Sequence, residues 1–353
     1  MLNIIQSFKK LNLPFVSYFD ICMDLGTTNT RIAIKNKGVV LREPSVVGLN
    51  TKTNEYVFFG QEAKRIMGKT PEFIKVLRPL VNGVIHDFDS EVALIKKFMD
   101  KAVAPYQTSK IYRQPTRIIT IVPSIATEIE QRAVEEVASK IGASKIFLVP
   151  KPIAVAAGTG IDIFSHQPNL IIDLGGGLIE MAILSGGGIV VKKTLRNAGE
   201  HMNHLISNYC YLKYGIILGE ITVEEIKTQL LNFTDTEEGM TVRGKSLENG
   251  LPKSIKLKSS EVKEALLSNL NQIIDAAKEL IEISPPEVVE EIYNRGVVLA
   301  GGITQAPGIE NFFTKELKID SFVRENPQDA VINGLLKLTE HEENLERVAI
   351  KNI

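Results

Sequence analysis

Two glycine-rich segments, one in each half of the chain, have the residue types that bind phosphate. Residues 23–34 have the sequence MDLGTTNTRIAI and residues 172–183 have IDLGGGLIEMAI, so each runs as a strand, bends near Asp-Leu-Gly and continues as a second strand. A tight bend of this kind exposes successive backbone N–H groups that attract phosphate oxygens, and glycine lets the backbone approach a ligand closely. Glycine-rich hairpins are also common structural turns. Their recurrence in both halves of one chain favours phosphate binding, with the two bends gripping one phosphate tail.

Side chains near the two bends indicate the same chemistry. Thr27, Thr28 and Asn29 add hydrogen-bond donors to the first bend. Asp24 and Asp173 end the strands that precede the bends. A Mg²⁺ that nucleotide phosphates bind prefers oxygen ligands and keeps several waters, so we expect these acids to hold it partly through water. Neither segment is a Walker loop or a Gly-x-Gly-x-x-Gly turn, because a strand rather than a helix follows.

Strands and helices interleave along the chain, which indicates an α/β fold. The predicted strands are 21–25, 30–34, 38–41, 117–122, 145–149, 170–173, 181–184, 190–194 and 296–299. The predicted helices are 88–104, 127–141, most of 199–235, and 260–282. Residues 236–258 are polar and predicted to be irregular, and the charged residues 340–353 are predicted to be a solvated, frayed tail. The repeated strand, bend and strand predicts two related lobes that share one cleft.

Composition excludes several functional classes. The 353 residues have a net charge of −1, which argues against a general attraction to nucleic acid. The two cysteines, Cys22 and Cys210, are far apart and form no disulfide framework, so a reducing cytoplasm fits. No apolar run reaches the roughly 20 residues that span a bilayer, and the N-terminus lacks a signal-peptide pattern. We expect a cytoplasmic protein that does not bind nucleic acid.

The order of longer motifs resembles the MreB family, the actin of rod-shaped bacteria. The matching blocks are DLGTTNTRIAIKNKGVVLREPSVVG at 24–48, GQEAKRIMGKTPEFIKVLRPLVNGVIHDF at 60–88, VPSIATEIEQRAVEEVASKIGASKIFLVPKPIAVAAG at 122–158, IDLGGG at 172–177, GEITVEEIKTQLLNF at 219–233 and GVVLAGGITQAPGIENFF at 296–313. The resemblance covers roughly residues 20–335. It implies an α/β, actin-like (ribonuclease H-like) fold of two lobes, with four subdomains around a nucleotide cleft.

The resemblance also implies subdomain borders. Subdomain IA would comprise 16–48, 88–152 and 325–353, IB 49–87, IIA 153–197 and 258–324, and IIB 198–257, after an N-terminal amphipathic segment at 1–15.

Site residues follow from the same resemblance. ATP or ADP would be held by a first phosphate loop of Gly26, Thr27, Thr28 and Asn29, a second of Asp173, Gly175, Gly176 and Gly177, and an adenosine side of Gly199, Glu200, Glu224, Lys227, Gly301, Gly302 and Ile303. Glu130 would position the attacking water, Asp173 would share the catalytic role, and Asp24 and Asp173 would serve Mg²⁺. From the residue type alone, Glu130 is a solvated helix residue.

Several positions depart from the family pattern. Leu178 and Ile179 stand where two Thr usually follow the glycines, and Pro150-Lys151-Pro152 replaces Glu-Glu-Pro, so a cation stands in place of an acid near the cleft. Ile303 replaces a third glycine. We predict that ATP binds but is hydrolysed slowly, because water positioning and proton removal depend on the altered residues.

The resemblance implies a filament-forming cytoskeletal ATPase that acts in cell shape or motility, with paired protofilaments. A sugar or acetate kinase on the same fold is the alternative, although no acceptor motif is present. A chaperone-type ATPase would need a further substrate-binding domain.

Residues 2–11 form an apolar stripe at helical spacing, and the loop 104–113 combines apolar and basic residues. We expect either to contact the inner face of the cell membrane; packing of the N-terminal helix on its own protein is the alternative.

Overall fold

A computed structural model describes residues 18–106 and 114–350. The strands in these ranges are β1 (Phe19–Leu25), β2 (Asn29–Ile34), β3 (Gly38–Pro44), β4 (Val47–Asn50), β5 (Glu55–Phe59), β6 (Ile74–Leu77), β7 (Leu80–Val81), β8 (Val84–Ile85), β9 (Thr116–Val122), β10 (Lys145–Pro150), β11 (Asn169–Leu174), β12 (Ile179–Ser185), β13 (Gly188–Leu195), β14 (Ile216–Ile217), β15 (Gly239–Ser246), β16 (Pro252–Lys258), β17 (Val297–Ala300) and β18 (Ser321–Val323). The helices are α1 (Gln61–Ile66), α2 (Phe88–Ala102), α3 (Glu128–Lys140), α4 (Lys151–Gly158), α5 (Gly199–Tyr214), α6 (Glu220–Leu230), α7 (Ser259–Glu282), α8 (Pro286–Arg295), α9 (Ile309–Leu317), α10 (Ala330–Leu338) and α11 (Glu342–Val348).

Two five-stranded sheets have the same internal order. The first runs β10-β9-β1-β2-β3, and the second runs β18-β17-β11-β12-β13 when read in the matching direction. In each sheet the strand before the bend pairs antiparallel with the strand after it and parallel with its other neighbour. The central strands are almost wholly buried, as expected of sheets covered on both faces. The sequence repeat therefore corresponds to a structural repeat.

Helices α4 and α10 cross between the two sheets with their backbones in contact. A Cβ on Gly158 would overlap the carbonyl oxygen of Ala330, and a Cβ on Gly334 would overlap that of Ala154. The hydrophobic cluster around this crossing includes buried residues of both large sheets. The crossing therefore joins the two large sheets through one hydrophobic cluster.

Two small sheets stand beside the large ones, and one of them corrects a prediction. They have the orders β5-β4-β6 and β14-β15-β16. Residues 236–258 are not irregular, because β15 and β16 form an antiparallel hairpin there. Val242, Ile255 and Leu257 are buried on one face, and polar residues, many of them lysines, occupy the other. The alternation identifies the strands, but its highly charged outer face lowers the mean hydropathy to that of a loop.

The predicted frayed tail is also partly wrong. Residues 342–348 form α11, in which Leu345 and Val348 are buried. Arg117 on β9 donates to Glu342 at 2.6 Å and to both oxygens of Asp20 at 2.7 and 2.8 Å. Two apolar residues one turn apart and one buried guanidinium attach this charged segment to the first sheet.

Candidate nucleotide site

A cavity of about 480 Å³ lies where the two bends meet. This volume is typical of sites for ligands of nucleotide size. The predicted residues that line it are Asp24, Gly26, Thr27, Thr28, Asn29, Asp173, Gly175, Gly176, Gly177, Gly199, Glu224, Lys227, Gly301, Gly302 and Ile303. The folded chain thus brings both predicted loops and the predicted adenosine side to one cavity.

Hydrogen bonds fix the first loop from behind. Ser45 donates from Oγ to the carbonyl of Gly26 at 2.6 Å, and its N–H donates to the carbonyl of Thr28 at 3.0 Å. Thr27 Oγ1 accepts from the N–H of Gly83 at 2.8 Å. The buried hydroxyl of Thr28 has no hydrogen-bond partner among the described residues. An unpaired buried hydroxyl at the cavity wall is suited to a phosphate oxygen.

The second loop touches the first, and only glycine fits there. A Cβ on Gly176 would overlap Thr28 Oγ1, and a Cβ on Gly177 would overlap Thr27 Oγ1. The first N–H groups of α5 donate to the carbonyls of Gly175 at 3.1 Å and Gly176 at 2.8 Å. The two bends therefore face each other in direct contact across the cleft.

The far side of the cavity is held by a buried lysine. Lys227 Nζ donates to the Gly199 carbonyl at 2.9 Å and to Glu224 Oε2 at 2.8 Å. Asn203 donates to the same carboxylate oxygen at 2.6 Å. Burial raises the pKa of Glu224, but Lys227 and these hydrogen bonds outweigh it and hold the pKa below its usual value. Glu224 and Lys227, which are one helical turn apart on α6, are therefore polar groups that hydrogen bonds hold in place on this wall.

Each carboxylate that lines the cavity is paired with a cation that also lines it. Asp24 Oδ2 lies 3.1 Å from Arg31 Nη1, and Asp173 Oδ2 lies 2.5 Å from Lys151 Nζ. The remaining lining pairs are Asp329 with Arg31 at 2.9 Å, Asp329 with Arg42 at 2.7 Å and Glu224 with Lys227 at 2.8 Å. The four acids and four bases that line the cavity cancel each other's charge.

Lys151 lies between two buried acids. Its Nζ is also 3.8 Å from Oε2 of Glu180 on β12, a residue that is 1% exposed. Burial lowers the pKa of Lys151, but the carboxylates of Asp173 and Glu180 outweigh burial and raise it above the usual value. Burial raises the pKa of Glu180, against the opposing effect of Lys151. The ammonium is therefore held in its charged form.

This charge pattern does not fit the predicted magnesium role of Asp24 and Asp173. Burial raises the pKa of Asp24, and the Arg31 guanidinium acts against that shift. Both carboxylates already face a protein cation, so each would have to release it to serve a metal. In residues 18–106 and 114–350, no group of three or more His, Cys, Asp or Glu is placed to hold a metal ion. Asp24 and Asp173 are therefore ion-pair partners of Arg31 and Lys151 in this structure.

Two predicted site residues lie outside the cavity wall. Glu130 forms a capping box at the start of α3: its Oε2 accepts from the N–H of Thr127 at 2.7 Å, and its own N–H donates to Thr127 Oγ1 at 3.3 Å. Glu200 pairs with Arg78 at 3.4 Å in an adjoining groove. Their roles in hydrolysis and adenosine binding stay predictions.

Sequence reasoning missed three charged wall residues: Arg31, Arg42 and Asp329. Arg31 is the cross-strand neighbour of Asp24 in the β1–β2 hairpin, so the hairpin register could have identified it. Arg42 lies in a segment noted only for its resemblance. Asp329 comes from a 3₁₀ turn far along the chain, and no local pattern marks it.

The chain is similar to known proteins over most of its length. A family model described as MreB/Mbl protein matches residues 18–347. The cell shape-determining protein Mbl of Bacillus subtilis is 38% identical over 317 residues, which cover 89% of this chain and 94% of that protein. The crystal structure of MreB5 of Spiroplasma citri bound to AMPPNP has a TM-score of 0.87 at 31% identity and covers 94% of this chain and 98% of that chain. The MamK double helical filament has a TM-score of 0.77 at 19% identity, covering 92% of this chain and 99% of that chain. The predicted α/β actin-like fold is confirmed.

Proposed function

Because the chain belongs to the MreB/Mbl protein family, we propose that it binds ATP and ADP between its lobes and assembles with copies of itself into filaments. The observation that supports this best is the meeting of the two glycine bends, from two halves of the chain, at one cavity of nucleotide size. The relative MreB5 of Spiroplasma citri has been crystallised with AMPPNP and with ADP. In this chain, the phosphate tail would lie against Thr28 and the glycines of the second loop.

Nucleotide and assembly are coupled through the angle between the lobes. A ligand that contacts both bends stabilises one lobe angle, and that angle sets how well the surfaces of successive subunits fit. A head-to-tail contact that does not close into a ring produces a filament. We propose paired protofilaments that act in cell shape or motility, and the predicted subdomain borders remain part of this proposal.

Electron microscopy tests assembly directly. Purified protein is imaged without nucleotide, with ADP and with ATP, and filaments are expected to be most abundant with ATP. Gly176→Ala is the matched negative variant because its Cβ would collide with Thr28, and Gly219→Ala is the control because nothing lies within 4 Å of its Cβ position. If filaments form equally in all samples, assembly does not depend on nucleotide binding in the cleft.

We propose that the chain hydrolyses ATP slowly. Leu178 is buried at the cavity wall and offers no hydroxyl near the second loop. Lys151 forms an ion pair with Asp173, so that carboxylate is not free. Glu130, the predicted water-positioning acid, is engaged in its capping box. Activation of water therefore lacks a free carboxylate beside the phosphate tail.

A phosphate-release assay beside Mbl of Bacillus subtilis tests this. The chain is expected to turn over at least about tenfold more slowly, a barrier difference of roughly 1.4 kcal/mol. The double variant Lys151→Glu and Leu178→Thr restores both family residue types and should speed release in excess MgCl₂, provided that circular dichroism shows the variant to be folded. Equal turnover of the two wild-type proteins would contradict the proposal.

We further propose a cytoplasmic location at the inner membrane surface. Among the helices within residues 18–106 and 114–350, none combines the length and the apolar character of a membrane-spanning segment. Segment 1–15, and residues 107–113 of the loop 104–113, lie outside the described residues. Sedimentation with anionic liposomes, with and without residues 1–15, tests the segment. Undiminished binding would leave the loop, which Tyr106→Ser then probes because Tyr106 is exposed.

A further inference from the structure

Lys151 is a mostly buried residue that lines the proposed nucleotide cavity. It is the first residue of α4, its side chain is only 15% exposed, and it lines the cavity beneath the second phosphate loop. Its Nζ lies 3.5 Å from where a Cβ on Gly175 would stand. A compact ammonium in that place is within reach of a phosphate group held by the loop.

The charge around Lys151 explains why a cation is fixed there. Asp173 and Glu180 are cross-strand neighbours in the β11–β12 hairpin, both are buried, and like charges in that arrangement repel. Lys151 lies within 4 Å of both carboxylates. Without it, an incoming polyphosphate would meet two buried negative charges, and a divalent cation would be needed to offset them.

The acid beside the first loop is also paired with a cation of the protein. Arg31 neutralises Asp24 and also contacts Asp329, which Arg42 contacts as well. Every lining acid is therefore already paired, and the cavity presents no spare negative charge for a free metal ion. Asp24 and Asp173, the acids predicted to attract a divalent cation, are paired with Arg31 and Lys151 instead.

We propose that Lys151, supported by Arg31, takes the place of the divalent cation in this cleft, so that the chain binds ADP and AMPPNP without Mg²⁺. This inference rests on the proposed nucleotide binding. It predicts that the dissociation constants in excess EDTA and in excess MgCl₂ differ by less than about threefold. A cleft that used Asp24 and Asp173 for a metal would lose at least roughly tenfold in affinity on chelation, since a charge-assisted contact to the phosphates would be lost.

Calorimetric titration of the wild-type chain with ADP and AMPPNP in the two buffers decides the matter. Binding of equal strength supports the inference. Binding only with MgCl₂ overturns it and leaves the proposed nucleotide site intact. Absence of binding in both buffers overturns the proposed function and the inference together.

Variants at Lys151 sharpen the result. Lys151→Met should weaken binding in EDTA by at least roughly tenfold, and MgCl₂ should restore much of the loss. Lys151→Arg keeps the charge and should keep the two dissociation constants nearly equal. Lys140→Met is the matched control, because Lys140 is exposed at the end of α3 and does not line the cavity. Circular dichroism checks that each variant is folded, and if Lys151→Met is not, the wild-type comparison and Lys151→Arg still decide. Equal binding of Lys151→Met in both buffers, at wild-type strength, would show that Lys151 has no such role.

Discussion

The two halves of the molecule place an aspartate at the same point of the same hairpin but surround it differently. In the first half, Asp24 stands opposite Arg31, and the pair neutralises itself within one hairpin. In the second half, Asp173 stands opposite Glu180, and the two acids share a lysine from α4. The backbone repeat is preserved while the charge pattern is not.

This difference shows which properties a repeated motif conserves. Hairpin geometry follows from alternating apolar strands and a glycine bend, so it recurs in both halves. The charge at the bend depends on one cross-strand residue, which can be changed without altering the strands. The second half therefore relies on Lys151, from a distant element, to offset part of its negative charge. A change at Lys151 affects two acids, whereas the loss of Arg31 leaves only Asp24 without a partner.

Removal of the two cations is expected to have the largest effect. Lys151→Met should lower the free energy of unfolding by about 3–5 kcal/mol, because two buried carboxylates lose their partner. Arg31→Met should cost less, about 2 kcal/mol, because Arg42 still pairs with Asp329 and only Asp24 is left alone. Urea unfolding of both variants without nucleotide measures the difference.

A partner substitution tests the cause. Adding Glu180→Gln to Lys151→Met removes one of the two uncompensated charges and should recover part of the stability. If Lys151→Met and Arg31→Met lower the free energy of unfolding by the same amount, the difference between the halves has no effect on stability.

Contact between the halves gives the next largest effect. Gly176→Ala should weaken ADP binding roughly hundredfold, about 2.7 kcal/mol, since the added methyl forces the two bends apart at Thr28. Gly219→Ala, which meets nothing within 4 Å, should bind as wild type. Full affinity in Gly176→Ala would mean that the bends need not touch.

Another buried carboxylate, that of Glu91, is neutralised by a proton instead of a cation. Glu91 on α2 is fully buried, and neither of its carboxyl oxygens has a hydrogen-bond partner in the described part of the chain. Burial raises the pKa of Glu91 from 4.5 to about 8. Between these values the unfolded chain has lost the proton and the folded chain keeps it, so stability falls as pH rises through this window and levels off above about 8.

The free energy of unfolding should therefore fall by about 2 kcal/mol more in wild type than in Glu91→Gln between pH 6 and pH 8.5. Urea unfolding at the two pH values measures this, with the exposed Glu136→Gln as control. Identical pH dependence in wild type and Glu91→Gln would place the proton elsewhere.

The sequence predicts the sheets and loops of this protein better than its electrostatics. Buried β-branched runs and Asp-Leu-Gly bends are local patterns, so β1, β2, β11 and β12 lie within a few residues of their predicted ranges. The pairing of Asp24 with Arg31 follows from the register of a local hairpin, so the sequence could have indicated it. The pairing of Asp173 with Lys151 depends on how α4 packs, and that tertiary relation is not visible in a single sequence, although the unusual residue Lys151 is.

Glu130 gives the smallest and most discriminating test. The family resemblance implies a catalytic acid, and the structure shows a capping residue whose carboxylate accepts a hydrogen bond from the N–H of Thr127. Gln can also close a capping box, so Glu130→Gln should change the free energy of unfolding by less than about 0.5 kcal/mol. Thr127→Ala removes the cap and should cost about 1 kcal/mol.

If Glu130 only caps, phosphate release by Glu130→Gln equals that of wild type. If release falls at least tenfold in Glu130→Gln while stability holds, the carboxylate must leave its cap during turnover, and the first half would then supply the acid that the second half, with Asp173 bound to Lys151, does not.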